Sequence, residues 1–143
     1  MFTECYCTQF RRSANALTHI YDDALRAVGL KITQLTLLRG LDRLESATYN
    51  EIAEELSLDK TTISRNIKLL IEAGWVQISA DEDARYKVAS LSPAGARMLK
   101  DAEPHWRAAQ AQVEKELKKY LKGPAKSVLL EALETLQQVG NNK

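Results

Sequence analysis

Asp59-Lys60-Thr61-Thr62-Ile63-Ser64-Arg65-Asn66-Ile67-Lys68-Leu69-Leu70-Ile71 is the stretch that decides the fold. Asp59 is a helix-capping residue type, and neither Gly nor Pro interrupts the chain until Gly74, so a helix is predicted from Lys60 to about Ala73. At 100° per residue, Ile63, Ile67, Leu70 and Ile71 fall on one side. Thr61, Arg65 and Lys68 fall on the other, flanked by Thr62, Ser64 and Asn66. Just upstream, Thr48-Tyr49-Asn50-Glu51 has capping-box spacing and opens a shorter helix with Ile52, Ala53 and Leu56 inward. Two short helices therefore meet at the turn Ser57-Leu58-Asp59.

Working outward, the period changes after Gly74. Trp75-Val76-Gln77-Ile78-Ser79 and Tyr86-Lys87-Val88-Ala89-Ser90-Leu91 read as strands around the polar tip Ala80–Arg85. Ser92-Pro93 is a cap followed by proline at the first helical position, and the helix it opens carries Leu99, Ala102, Trp106, Ala109, Val113, Leu117 and Tyr120 until Gly123-Pro124. A last helix uses Val128, Leu129, Ala132, Leu133 and Leu136. Toward the N-terminus, Cys7, Phe10, Ala14, Leu17, Tyr21, Ala24 and Val28 step by three and four along a helix from about Thr3, ended by Gly29. Thr33 reads as the cap of a second helix carrying Leu35, Leu38, Leu41 and Leu44. The predicted fold is mainly α with a small β-hairpin wing, in the order ααααββαα. A helix pair followed by such a hairpin describes a winged helix-turn-helix.

Composition fits one ordinary globular domain. The chain has 143 residues, 45% hydrophobic and 27% charged, with a net charge of +1. A chain-wide polycation is excluded, so any nucleic-acid surface is a local patch. Between Lys60 and Ile71 lie three basic residues and no acidic one. Arg forks onto guanine, Asn onto adenine, and Thr and Ser hydroxyls reach base edges or phosphates, which makes this face a candidate major-groove reader. Arg85 at the hairpin tip, followed by Lys87, suits a minor groove, with Asp83 placed to pair with Arg85 and orient it. A merely solvated helix face and an ordinary acidic turn are the plainer readings. Double-stranded DNA is the expected partner; a winged helix that binds protein without specific DNA contact is the alternative. The sequence has no Gly-rich phosphate loop, no carboxylate pair at a helix spacing that suggests a site and no Ser/His/Asp order worth pursuing, so no enzyme or cofactor is expected. No apolar run approaches a membrane span and no apolar leader follows Met1, so the expectation is a cytoplasmic chain away from membranes.

Taken in order, Ile52-Ala53-Glu54-Glu55-Leu56, Asp59 to Arg65, Leu69 to Val76, Asp81 to Arg85 and Leu91-Ser92-Pro93-Ala94-Gly95 resemble the MarR-type (multiple antibiotic resistance regulator) winged-helix transcription factors. The resemblance covers nearly the whole chain. It implies a homodimeric DNA-binding regulator, usually a repressor of a neighbouring operon, whose wing Asp and Arg fall on Asp83 and Arg85. The chain then reads as a single MarR-like domain, 1–143, with a DNA-binding lobe at 30–92 and a helical dimerisation region at 1–29 and 93–143. The residues expected to bind DNA are Lys60, Thr61, Thr62, Ser64, Arg65, Asn66, Lys68, Asp83, Arg85 and Lys87.

The sequence itself also favours a dimer. Pro93–Leu121 would span roughly 43 Å as a helix, against a radius of gyration of about 14–15 Å for a domain this size. Such a helix cannot bury its whole stripe within one chain, although Pro104 is expected to kink or break it. Phe10, Trp106, Val113, Leu117, Leu129 and Leu133 are the expected interface.

Two cysteines, Cys5 and Cys7, flank Tyr6. Cys7 lies on the apolar stripe and reads first as a small buried hydrophobe. The other reading is a redox sensor, with Cys7 attacked by peroxide, Cys5 or a partner-chain cysteine resolving it, and Arg11 and Arg12 one turn away. Cys7 stands fourteen residues before Tyr21, which is similar to the organic-hydroperoxide-sensing branch of the family. Thr8, Arg11 and Ile32 depart from that branch, which would place Phe and two tyrosines there. A metal site has little basis, since Cys-x-Cys supplies at most two ligands and His19 and His105 are distant. A small aromatic effector, bound between the dimerisation helices and the DNA lobe, is the third expectation.

Overall fold

The computed structural model of the protein describes residues 3–80, 82 and 85–142. The elements are α1 (Tyr6–Leu25), a 3-10 turn at Arg26–Val28, α2 (Ile32–Leu44), β1 (Ser46–Thr48), α3 (Tyr49–Leu56), α4 (Lys60–Glu72), β2 (Val76–Ala80), β3 (Lys87–Leu91), α5 (Pro93–Leu117) and α6 (Ala125–Asn141). The expected fold class holds, with one addition. Ser46-Ala47-Thr48 forms a third strand, so the sheet is antiparallel in the order β1-β3-β2. Ala47 pairs with Ala89, and Ile78 pairs with Ala89 from the other side.

Compact packing divides the chain into two units, residues up to Gln110 and residues from Ala111 onward. The core of the first unit is built from Leu25, Leu30, Leu35, Leu38, Leu41, Ile52, Ile63, Ile67, Leu70, Val76, Ala89 and Ala102. Helix α2 is its centre. Leu37 and Gly40 are buried beside the expected leucines, so α2 is covered on most of its circumference, as a central helix must be. Its start differs from the expectation at Thr33. The cap position is Lys31, whose N–H donates to the Gln34 side chain at 2.9 Å, while Asp22 of α1 accepts the Ile32 N–H at 2.8 Å. A carboxylate from the preceding helix thus satisfies an end amide that a hydroxyl cap would otherwise serve.

Other expected boundaries shift for identifiable reasons. The first helix begins at Tyr6, with Cys5 at its cap position, and tightens into the 3-10 turn before Gly29, whose φ of 71° ends it. Ile71, expected inward, is exposed, because Ile63, Ile67 and Leu70 already fill the contact. Pro104 is accommodated within one continuous α5, which ends at Leu117 instead of Leu121. In the second unit, α6 has no fully buried residue: Leu129 and Leu133 are half-buried, and Val128, Leu130, Leu136 and Val139 are exposed.

Candidate nucleic-acid interface

Local chemistry positions α4 through the helix and turn that precede it. Thr48 accepts the Glu51 N–H at 3.3 Å, and Glu51 accepts the Thr48 N–H at 2.7 Å, closing the expected capping box of α3. The chain leaves α3 through Ser57 in the left-handed region (φ 51°, ψ 42°), and the Leu58 N–H returns to the Ala53 carbonyl at 3.0 Å. Asp59 then caps α4, accepting the Thr62 N–H at 2.9 Å and the Thr62 hydroxyl at 2.6 Å. Those two bonds, the hydroxyl's first, hold the Asp59 carboxyl below its ordinary pKa. An Arg43–Glu55 ion pair at 2.9 Å ties α2 to α3 beside this turn.

Ile63, Ile67 and Leu70 anchor α4 in the core with no exposed surface. Lys60, Thr61, Ser64, Arg65 and Lys68 are exposed, and these three cations form no ion pair among the described residues. Thr62 and Asn66 are placed differently from the expectation of free hydrogen-bonding readers. Both are half-buried, the Thr62 hydroxyl is given to Asp59, and the Asn66 amide donates to the Thr62 carbonyl at 2.9 Å. The exposed surface of α4 therefore carries Lys60 in its first turn and Arg65 and Lys68 further along, while Thr62 and Asn66 are bonded internally.

The wing is fixed at its base. The Ser92 N–H donates to the Trp75 carbonyl at 3.0 Å, the Ser92 hydroxyl donates to the Gly74 carbonyl at 2.5 Å, and the same hydroxyl accepts the Gly95 N–H at 3.0 Å. One side chain thus caps α5 and clamps the hairpin entry. Arg85, Tyr86 and Lys87 are exposed at the far end. Asp83, the expected orienting partner of Arg85, lies outside the described residues.

Both cysteines are exposed, which corrects the reading of Cys7 as a buried hydrophobe: Cys7, Phe10, Ala14 and Leu17 of the α1 stripe are all exposed among the described residues. Bonds from the Thr8 hydroxyl, and then its backbone, lower the pKa of the Cys5 thiol. Among the expected interface residues, Phe10 and Leu117 are exposed, and Val113, Leu129 and Leu133 are half-buried. Trp106 packs against the core of its own chain, with the Arg39 guanidinium 4.0 Å over its ring. Glu103 joins this cluster through Arg39 and Arg107, both at 2.8 Å, and those bonds, that from Arg107 foremost, lower its pKa. Sequence reasoning missed this group because its partners are 64 residues apart. Among the described residues no three His, Cys, Asp or Glu side chains cluster as a metal site, and no helix is long and apolar enough to cross a membrane.

A helix-turn-helix with an antiparallel wing and a cationic second helix defines the class of winged-helix transcriptional regulators. The MarR family profile matches residues 28–85. The chain is 31% identical to the M. tuberculosis transcriptional regulator MosR, crystallised in complex with DNA, over 97% of this chain and 98% of that one, with a TM-score of 0.83. The chain belongs to the MarR family of transcriptional regulators. Its fold is also similar to that of a mutant MarR from E. coli complexed with operator DNA, at 18% identity, TM-score 0.79, and 90% and 91% coverage of the two chains. An uncharacterised HTH-type transcriptional regulator of Bacillus subtilis, YwoH, is 33% identical over 84 residues. That match spans 59% of this chain and 61% of the relative's length.

Proposed function

We propose that the protein is a homodimeric repressor that binds a near-palindromic operator, with α4 in the major groove and the wing at Arg85 and Lys87 in the minor groove. The observation that carries this reading is the exposed surface of α4, where Arg65 and Lys68, with Lys60 in the first turn, stand without ion-pair partners among the described residues. A DNA complex of the 31% identical MosR supports it. Residues 1–29 and 93–143 supply the dimerisation region, and the two-fold axis sets the reading helices about 34 Å apart on successive turns of DNA.

Binding responds either to a small aromatic effector or to thiol oxidation. A solved structure of Bordetella bronchiseptica BpsR concerns regulation of that protein's DNA binding by 6-hydroxynicotinic acid, which supports the first route. The exposed Cys5, off the apolar stripe of α1 and with its thiol pKa lowered by bonds from Thr8, supports the second. In that route peroxide is reduced to water as a thiol is oxidised.

Fluorescence anisotropy on DNA from upstream of the gene tests the reading, with reduced and peroxide-treated protein at two salt concentrations. Tight binding that falls steeply with salt is expected. Arg65→Ala and Arg85→Ala should each cost roughly 1–3 kcal/mol of binding if they read base edges. Salt-insensitive binding, or unchanged affinity after both substitutions, refutes the assignment and favours the protein-docking alternative.

A further inference from the structure

We infer that Leu69 is a sequence-reading residue that packs against thymine 5-methyl groups in the major groove. The inference deepens the DNA-binding reading of α4 and rests on it. Leu69 is 51% exposed although it is a large apolar residue, in the last turn of a helix whose other face is fully buried. Its neighbour one turn back, four residues earlier, is the exposed Arg65, so Leu69 continues the solvent face. Ile71 differs in this respect, because its neighbour four residues back is the fully buried Ile67, placing it at the rim of the core.

The flank that Leu69 extends has some of its donors engaged. Thr62, seven residues earlier, gives its hydroxyl to Asp59, and Asn66, three residues earlier, donates its amide to the Thr62 carbonyl. One of the two Asn66 amide hydrogens and the Thr62 hydroxyl hydrogen are thus spent within the chain, and the strip Thr62–Asn66–Leu69 ends in an uncovered isobutyl group beside the exposed cations Arg65 and Lys68. In the major groove the apolar feature that distinguishes one base edge is the thymine C5-methyl. A single leucine is too small a patch to hold a protein partner by itself, yet it is the right size for one or two methyl groups.

The test uses the duplex that the full-length protein selects from a random DNA pool, resynthesised with deoxyuridine in place of thymidine at one position of each half-site at a time. Deoxyuridine removes the methyl and leaves Watson–Crick pairing intact. The wild-type protein should lose about 4-fold in affinity per methyl contact at one or two positions, the loss expected for one buried methyl-sized group. Leu69→Ala and Leu69→Gln should bind the thymidine duplex more weakly and be indifferent to deoxyuridine there, whereas Arg65→Ala should retain the methyl sensitivity. Equal sensitivity in wild type and Leu69→Ala, or no position at which the wild type senses a methyl, overturns the inference while the operator binding stands. Weakening of Leu69→Ala by the same factor on both duplexes means a sugar–phosphate contact and also overturns it. A protein that selects no duplex overturns the DNA reading of α4, and this inference with it.

Discussion

At the residue scale, two positions show how tightly the reading lobe is specified. A Cβ on Gly95 would stand 2.0 Å from the Trp75 carbonyl oxygen and 3.0 Å from its carbonyl carbon. Backbone cannot yield as a side-chain tip does, so Gly95→Ala must push the start of α5 off the hairpin entry and weaken the Ser92 clamp. The expected loss is about 3 kcal/mol, the upper end for overpacking, read as a lower urea midpoint with the denaturant slope unchanged. Ser57 presents the opposite case. It holds a left-handed φ of 51° in the helix-turn-helix turn, a conformation that costs a residue with a Cβ roughly 1–2 kcal/mol. Ser57→Gly removes that strain but adds freedom to the unfolded chain, so a net stabilisation below about 1 kcal/mol is expected. Thermal melts of the two proteins at one concentration check it. The sequence disclosed Ser92 and Pro93 as a helix start because capping is local chemistry. It did not disclose why Gly95 is glycine, since that reason belongs to Trp75, which the fold brings against it.

At the element scale, the starts of α3, α4 and α5 are legible in the sequence and a short strand is not. Thr48 and Asp59 cap α3 and α4 as their residue types imply. Ser46-Ala47-Thr48 has no alternating pattern long enough to show, and becomes a strand only because β3 offers it an open edge. The start of α2 went unread at Lys31 for a similar reason: its end amide is answered by Asp22, ten residues away on another helix. The capping box makes a direct prediction. Thr48→Ala should cost about 1 kcal/mol of stability, measured by urea unfolding, and Thr48→Ser should restore most of it. Asp59 predicts a pH dependence. Its carboxyl has a lower pKa folded than unfolded, so its stabilising contribution is complete above the unfolded value, near 3.8. That contribution is lost as pH falls through the lower, folded value. Asp59→Asn keeps a capping side chain without the titration, so its stability should decline less steeply with acid than the wild type's. Identical acid limbs in the two proteins would mean that the Thr62 bonds do not bear on folding.

At the scale of the whole molecule, the sequence marks faces for burial without saying what buries them. Cys7, Phe10, Leu17, Leu117, Val128 and Leu136 are exposed, although helical spacing gives them the periodicity of core residues. Periodicity reports that a face is to be buried and is silent on whether the cover comes from the same chain. Trp106 illustrates the ambiguity: read from spacing as an interface residue, it packs against its own core beneath Arg39. The proposed dimer gives these faces a cover and links them to function. A near-palindromic operator bound by two joined lobes gains affinity because the second lobe docks from a high effective concentration, worth about 10²–10⁴-fold. A monomer forfeits that gain even with α4 intact. Leu136→Glu combined with Val139→Glu places two carboxylates on α6 where the side chains are exposed in the single chain, so each chain should still fold. Sedimentation velocity should show a dimer for the wild type and a monomer for the double variant. Operator affinity should fall by the full effective-concentration factor while affinity for an isolated half-site stays within a few-fold. A double variant that remains dimeric at micromolar concentration, or a monomer that binds the full operator as tightly as the wild type, would remove α6 from the interface and detach dimerisation from operator recognition.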